Sequence, residues 1–215
     1  MLPIYKAISI EKAPLVGGST QPCLLLAASY NGTPVGSYVV KIFKQRNIEQ
    51  LNSTAKEVYA SVLARHFEIQ TPDSALIEVE QWLINALKKL PEYSGWDITE
   101  GVYFGTVYIV GGLDYNEAVK NNLRRKDWAF LIANPKGGKH LFLEDLSNFH
   151  KKEAIKFDHF TENLRNLSPE LILGKDAEQL TEYNIETLDY PPIERYLQSA
   201  IRNTTHFIES LKSLL

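Results

Sequence analysis

Short apolar runs separated by turn residues dominate the first third of the chain, a pattern of strands. Pro22 to Tyr30 is a nearly continuous apolar run closed by Asn31-Gly32, a pair suited to a tight hairpin turn because both residues tolerate positive φ. Gly36 to Phe43 follows as a β-branched and aromatic run. The two runs read as an antiparallel hairpin, preceded by a strand near Ile4 to Ile10. A helix is expected to start near Ser53 or Thr54, where Ala55, Val58, Tyr59, Val62, Leu63 and Phe67 recur at helical spacing until Thr71-Pro72. Ala75 to Val79 reads as a strand. Val79, Trp82, Leu83, Ala86, Leu87 and Leu90 then form an amphipathic stripe that Pro91 stops. Tyr103 to Val110 is the next strand-like run, bounded by Gly111-Gly112.

The second half is mainly helical in pattern. A helix is expected from about Asn116 to Ala133, ending at Asn134-Pro135. His140 to Glu144 and Ala154 to Asp158 read as the strands of a second hairpin. A last helix begins after Pro191-Pro192, with Ile193, Tyr196, Leu197, Ala200, Ile201, Phe207, Ile208 and Leu211 along one face. Sheet, one helix, more sheet and then helices with one hairpin is the order of an α+β fold. The expected division is a sheet-rich lobe over 1–110 and a helical lobe over 111–215, with the break near Gly111-Gly112.

Composition narrows the class. In a chain of 215 residues with 44% hydrophobic and 23% charged side chains, a soluble domain with a real core is expected. No apolar run reaches the ~18–20 residues of a membrane helix, and Met1 to Lys6 lacks the pattern of a secretory signal. Cys23 is the sole cysteine, which excludes an internal disulfide and cysteine-based zinc sites and fits a reducing cytoplasm. The net charge of −3 and the short basic clusters Arg124-Arg125-Lys126 and Lys151-Lys152 argue against direct nucleic-acid binding.

Lys41 is the first residue with a chemical reading. It interrupts the apolar stretch Tyr38-Val39-Val40-Lys41-Ile42-Phe43, either as a solvent-facing lysine of an alternating strand or as a phosphate-pairing lysine of the kind found in kinases. Gly17-Gly18-Ser19-Thr20 lies one strand upstream, where backbone N–H groups of a glycine turn can approach phosphate oxygens. Glu57 follows on the expected helix. It either pairs with Lys41 or completes the capping box Thr54-x-x-Glu57 at the helix start.

The order Gly17-Gly18-Ser19-Thr20-x-Pro22, Tyr38-Val39-Val40-Lys41, Ala55-Lys56-Glu57-Val58, Leu63-Ala64-Arg65 and Thr71-Pro72 resembles the opening of the HipA-like kinase family. Gly101-x-x-Phe104-Gly105-Thr106 resembles the same family's run into the connection between lobes. This resemblance covers most of residues 1–160 and implies a protein-kinase-like two-lobed fold that binds ATP and magnesium between lobes. By the same resemblance Gly17, Gly18, Ser19 and Thr20 would cover the phosphates, Lys41 would pair with them and Glu57 would hold Lys41. Asp158, in Phe157-Asp158-His159, would be the metal-binding acid.

One segment departs from the family's pattern. The catalytic loop of the family reads like Asn-x-Asp-Arg followed by Asn, whereas here it is Asn134-Pro135-Lys136-Gly137-Gly138-Lys139-His140. Lys136 stands in place of the catalytic aspartate, and an ammonium cannot accept the proton of the attacking hydroxyl as a carboxylate does. Asp127 and Asp145 lie nearby without the right spacing. The expectation is therefore a nucleotide-binding pseudokinase with phosphotransfer lost or weak. An active serine/threonine-type kinase with a displaced base and a nucleotide-free protein-interaction module stand as alternatives.

Other chemistries find no motif. The five histidines lack His-x-x-x-His and His-Glu-x-x-His spacing, and neither a Gly-x-Ser-x-Gly elbow nor a Gly-x-Gly-x-x-Gly fingerprint occurs. Trp82, Trp96 and Trp128 read as core or interface anchors. The implied partners are a nucleotide and a protein partner or substrate, in a bacterial cytoplasm and without a membrane.

Overall fold

The computed structural model describes residues 1–15, 21–43, 48–69, 71–109, 157–185, 187 and 190–214. Its strands are β1 (Ile4–Lys12), β2 (Cys23–Ala28), β3 (Pro34–Val40), β4 (Ser74–Val79) and β5 (Gly101–Val107). Helix α1 (Ile48–His66) joins β3 to β4. Helix α2 (Gln81–Lys88) and a 3-10 turn (Pro91–Tyr93) join β4 to β5. The C-terminal part holds α3 (Asp158–Arg165), α4 (Pro169–Glu182), α5 (Tyr190–Arg202) and α6 (Thr204–Leu214).

The β2–β3 hairpin forms where Asn31-Gly32 places the turn. Gly32 takes φ 84°, and the Asn31 side chain accepts the Thr33 N–H at 3.0 Å. The strands follow the order β1-β2-β3-β5-β4 and close into a barrel. All the pairings are antiparallel except the last, where Ile4 and Lys6 lie parallel to Leu76 and Glu78 and shut the sheet.

Alternation along the strands sorts side chains into two cores. Leu25, Ala27, Val40, Ala75, Ile77, Val79 and Tyr103 fill the barrel, together with Leu83, Ile84 and Leu87 of α2 and the ring of Tyr93. Leu76, Val102 and Phe104 point the other way. They pack with Val58 and Tyr59 of α1, Leu173 and Leu180 of α4, and Leu197 of α5. Gly105 of β5 is closely packed by β3 and β4, since a Cβ there would lie 2.8 Å from Ile77 Cγ1 and 3.3 Å from Val40 Cγ2.

This architecture corrects the two-lobed expectation. The described chain is a closed five-strand barrel with helices, not a protein-kinase-like fold with a sheet-rich lobe and a separate helical lobe. Two features produce the difference. The parallel β1–β4 pairing bends what reads as an open sheet into a barrel. The C-terminal helices also share a core with the strands, because Leu164, Leu173 and Leu197 are buried with Leu2, Leu76 and Phe104. Stacked Phe67 and Phe160 rings, 4.6 Å apart, add a further tie between the end of α1 and α3.

Local differences are instructive too. Helix α1 begins at Ile48, upstream of Thr54, and Asp158 opens a helix instead of ending a strand. The final amphipathic stripe is two helices, with a break at Asn203. There the Asn203 amide donates to Ser199 O at 3.0 Å and the Thr204 hydroxyl to Ile201 O at 2.7 Å, so side chains compete for the backbone acceptors. The expected helix over 116–133, the strand at 140–144 and the lobe boundary at 111–112 lie outside the described residues.

Candidate functional site

At one end of the barrel β1, β3 and β4 finish while β2 and β5 begin, as their relative directions require. Lys41 is the first residue beyond β3 at this end. Its backbone N–H donates to Phe104 O at 3.2 Å, which carries the chain on alongside β5. Val40 and Ile42 are both fully buried in the barrel, so alternation turns the Lys41 side chain outward. There its Nζ forms an ion pair with Glu57 Oε1 of α1.

Both members of the pair are 35% exposed, so the ammonium is held in place yet open to a ligand. The structure also decides between the two readings of Glu57. Thr54 is 2% exposed and lies inside α1, not at its start, so the capping box is not formed and Glu57 pairs with Lys41 instead. A lysine ammonium fixed by one carboxylate and facing solvent retains donors for a second anion.

The β1–β2 connection leaves and returns at the same end. Leu15 N–H donates to Pro22 O at 2.7 Å, and Cys23 stands opposite Val40 in the sheet. The Tyr93 hydroxyl donates to Gln21 O at 2.8 Å, tying the returning strand to the 3-10 turn. Gly17, Gly18, Ser19 and Thr20 themselves lie outside the described residues, as does Lys136.

Asp158 stands apart from this pair. It is exposed in the first turn of α3, and the adjacent His159 Nε2 lies 2.6 Å from Glu68 Oε2, just beyond α1. At 1.5 Å rise per residue, the His66 end of α1 is roughly 14 Å along the helix from Glu57. Among the described residues no hydrogen bond or ion pair joins Asp158 to Lys41 or Glu57. Nor does any group of three His, Cys, Asp or Glu side chains among them stand ready to hold a metal ion. Phe104, whose carbonyl orients Lys41, carries no sequence signal for that role, since a backbone acceptor is independent of side-chain type.

The chain matches no family model, no curated protein and no solved structure. Its class is thus defined by architecture: a closed five-strand barrel flanked by helices, with a lysine–glutamate pair at one end. No helix among the described residues is long and apolar enough to cross a membrane.

Proposed function

We propose that the chain binds the phosphates of a nucleotide, ATP accompanied by magnesium, at the barrel end where Lys41 emerges, and that it transfers phosphate weakly or not at all. The observation that carries this reading is the Lys41–Glu57 pair, in which a strand-borne ammonium is oriented by a helix-borne carboxylate and left partly open. The reading needs the pair and the neighbouring β1–β2 connection, and does not need two lobes. Magnesium fits as an ion brought in by the nucleotide. It keeps much of its water and takes few protein carboxylates when phosphates supply oxygens, and the described residues supply no three-ligand set. Weak phosphotransfer follows from Lys136, a cation where the resemblance requires a proton-accepting carboxylate.

The test is thermal unfolding with and without ATP, each with and without magnesium, in wild type and in Lys41→Ala. Ligand at a hundred times its dissociation constant adds ~2.7 kcal/mol, which is roughly 5–10 °C for a domain of this size. A shift in wild type that Lys41→Ala lacks supports the reading. No shift at millimolar ATP, or an equal shift in Lys41→Ala, removes it and leaves a protein-interaction module.

A further inference from the structure

A second surface feature lies on the outer face of the barrel, where β1 and β4 pair. Tyr30, in the β2–β3 turn, is 60% exposed, and Trp82, in the first turn of α2, is 52% exposed. Both rings are held by carboxylates. The Tyr30 hydroxyl donates to Glu78 Oε2 at 3.0 Å, reaching across β1, and the Trp82 indole N–H donates to Glu80 Oε2 at 3.0 Å. Lys6 of β1 sits between them. Its Nζ is 3.3 Å from Glu80 Oε1, 4.0 Å from Glu78 Oε2 and 5.4 Å from the centre of the Tyr30 ring. Ile8, two residues further along the same outward face of β1, is exposed as well.

A surface network of this kind adds little stability, because exposed ion pairs are screened by water. What it does is hold two large rings still. Tryptophan and tyrosine supply much of the binding energy at protein interfaces, and rings already fixed lose less entropy on association. The local charge is also biased. Two carboxylates face one ammonium, so Glu78 and Glu80 leave a net negative charge beside the two rings. Lys6 over Tyr30 shows within the chain itself that a cation seats on this surface.

We propose that this face binds an arginine-bearing segment of a partner protein, with a guanidinium lying on the Trp82 ring and pairing with Glu80. A planar guanidinium is suited to both contacts at once, since it stacks on an aromatic face while its N–H fork meets a carboxylate. A lysine ammonium, a point charge without a planar fork, can sit over the ring or pair with the carboxylate but does not lie flat on the ring while meeting the carboxylate, and an acidic segment is repelled. This inference does not rest on nucleotide binding at Lys41.

The experiment is fluorescence anisotropy with a labelled peptide of alternating arginine and glycine, its lysine counterpart and an acidic counterpart, against the whole chain. The arginine peptide is expected to bind about tenfold more tightly than the lysine peptide, the advantage of making the ring stack and the carboxylate pairing together. Trp82→Ala and Glu80→Gln are each expected to weaken the arginine peptide by about the same factor, whereas Lys41→Ala binds it as wild type does. Glu80→Gln keeps the size and shape of the side chain, so it carries the test if Trp82→Ala fails to fold. Absence of arginine-peptide binding, equal binding of the arginine and lysine peptides, or undiminished binding by a folded Trp82→Ala or Glu80→Gln overturns the proposal.

Discussion

Gln179 holds the backbone of Leu2 from both sides: the Leu2 N–H donates to Oε1 at 3.2 Å, and Nε2 donates to the Leu2 carbonyl at 3.0 Å. Both residues are buried, so one side chain on α4 does for Leu2 what a neighbouring strand does for the residues that follow. Replacing Gln179 with leucine leaves a buried donor and a buried acceptor without partners. A loss of about 2 kcal/mol is expected in urea unfolding, and a change below about 0.5 kcal/mol contradicts the assignment of the clamp as a stabilising contact.

Gly105 is required by packing. A methyl group there meets Ile77 Cγ1 at 2.8 Å and Val40 Cγ2 at 3.3 Å, both on fully buried side chains of the barrel interior, so one of them must shift. Gly105→Ala is therefore expected to destabilise the fold by about 1–3 kcal/mol. Gly32 has nothing within 4 Å of its hypothetical Cβ and is constrained by φ alone. Asparagine tolerates that φ, so Gly32→Asn is expected to cost less than Gly105→Ala in the same unfolding assay.

The Lys41–Glu57 pair is open enough for water to screen it. A double-mutant cycle with Lys41→Met and Glu57→Gln is expected to give a coupling below about 1 kcal/mol in stability. A larger value, several kcal/mol, marks the pair as a structural clasp and weakens its reading as a ligand site. The cycle thus asks of stability what ATP-dependent melting asks of binding.

Burial pushes the Cys23 thiol up from its ordinary 9.0 to about 12. The folded protein keeps this proton where the unfolded chain has released it, so the unfolded state binds fewer protons between those two pH values and stability falls as pH rises. The contribution is complete below pH 9.0 and is lost progressively towards about 12. A slope approaching ~1.4 kcal/mol per pH unit is the upper bound for one such group. Cys23→Ala is expected to shed part of the alkaline slope while Tyr30, Tyr38, Tyr93, Tyr190 and Tyr196, all raised chiefly by burial, still contribute to it. An alkaline unfolding profile identical in wild type and Cys23→Ala contradicts this account. At pH 8 the thiol is also expected to resist thiol reagents until the chain unfolds.

Much of the barrel is legible as strings of residues, because each strand and the β2–β3 turn answer to local rules. The run ending at Asn31-Gly32 had to fold back, and the apolar neighbours of Lys41 had to turn its ammonium away from the core. The misreadings have a common physical origin. Ile4–Lys6 meets Leu76–Glu78 far along the chain, and no local periodicity encodes that partner, so a barrel reads as an open sheet. Thr54-x-x-Glu57 satisfies the spacing of a helix start, but α1 begins earlier and the glutamate was free for Lys41. Helix α4 had a signal that went unused, Ser168-Pro169-Glu170, with proline at the first helical position where its missing N–H costs nothing. The carboxylate-held rings of Tyr30 and Trp82 lie on separate elements joined only through tertiary contacts, so their combination could not be read in advance.

The parallel seam between β1 and β4 has a consequence for assembly of the chain. A parallel pair cannot be made by a tight hairpin, so the ends that meet at Ile4 and Leu76 must find each other across a long loop, whose entropy cost rises with length. The seam is then a late and slow event, while the β2–β3 hairpin can form early. Until it closes, β1 and β4 are raw edges with unpaired N–H and C=O groups. A chain deprived of β1 leaves β2 and β4 as edges permanently and is expected to self-associate through them.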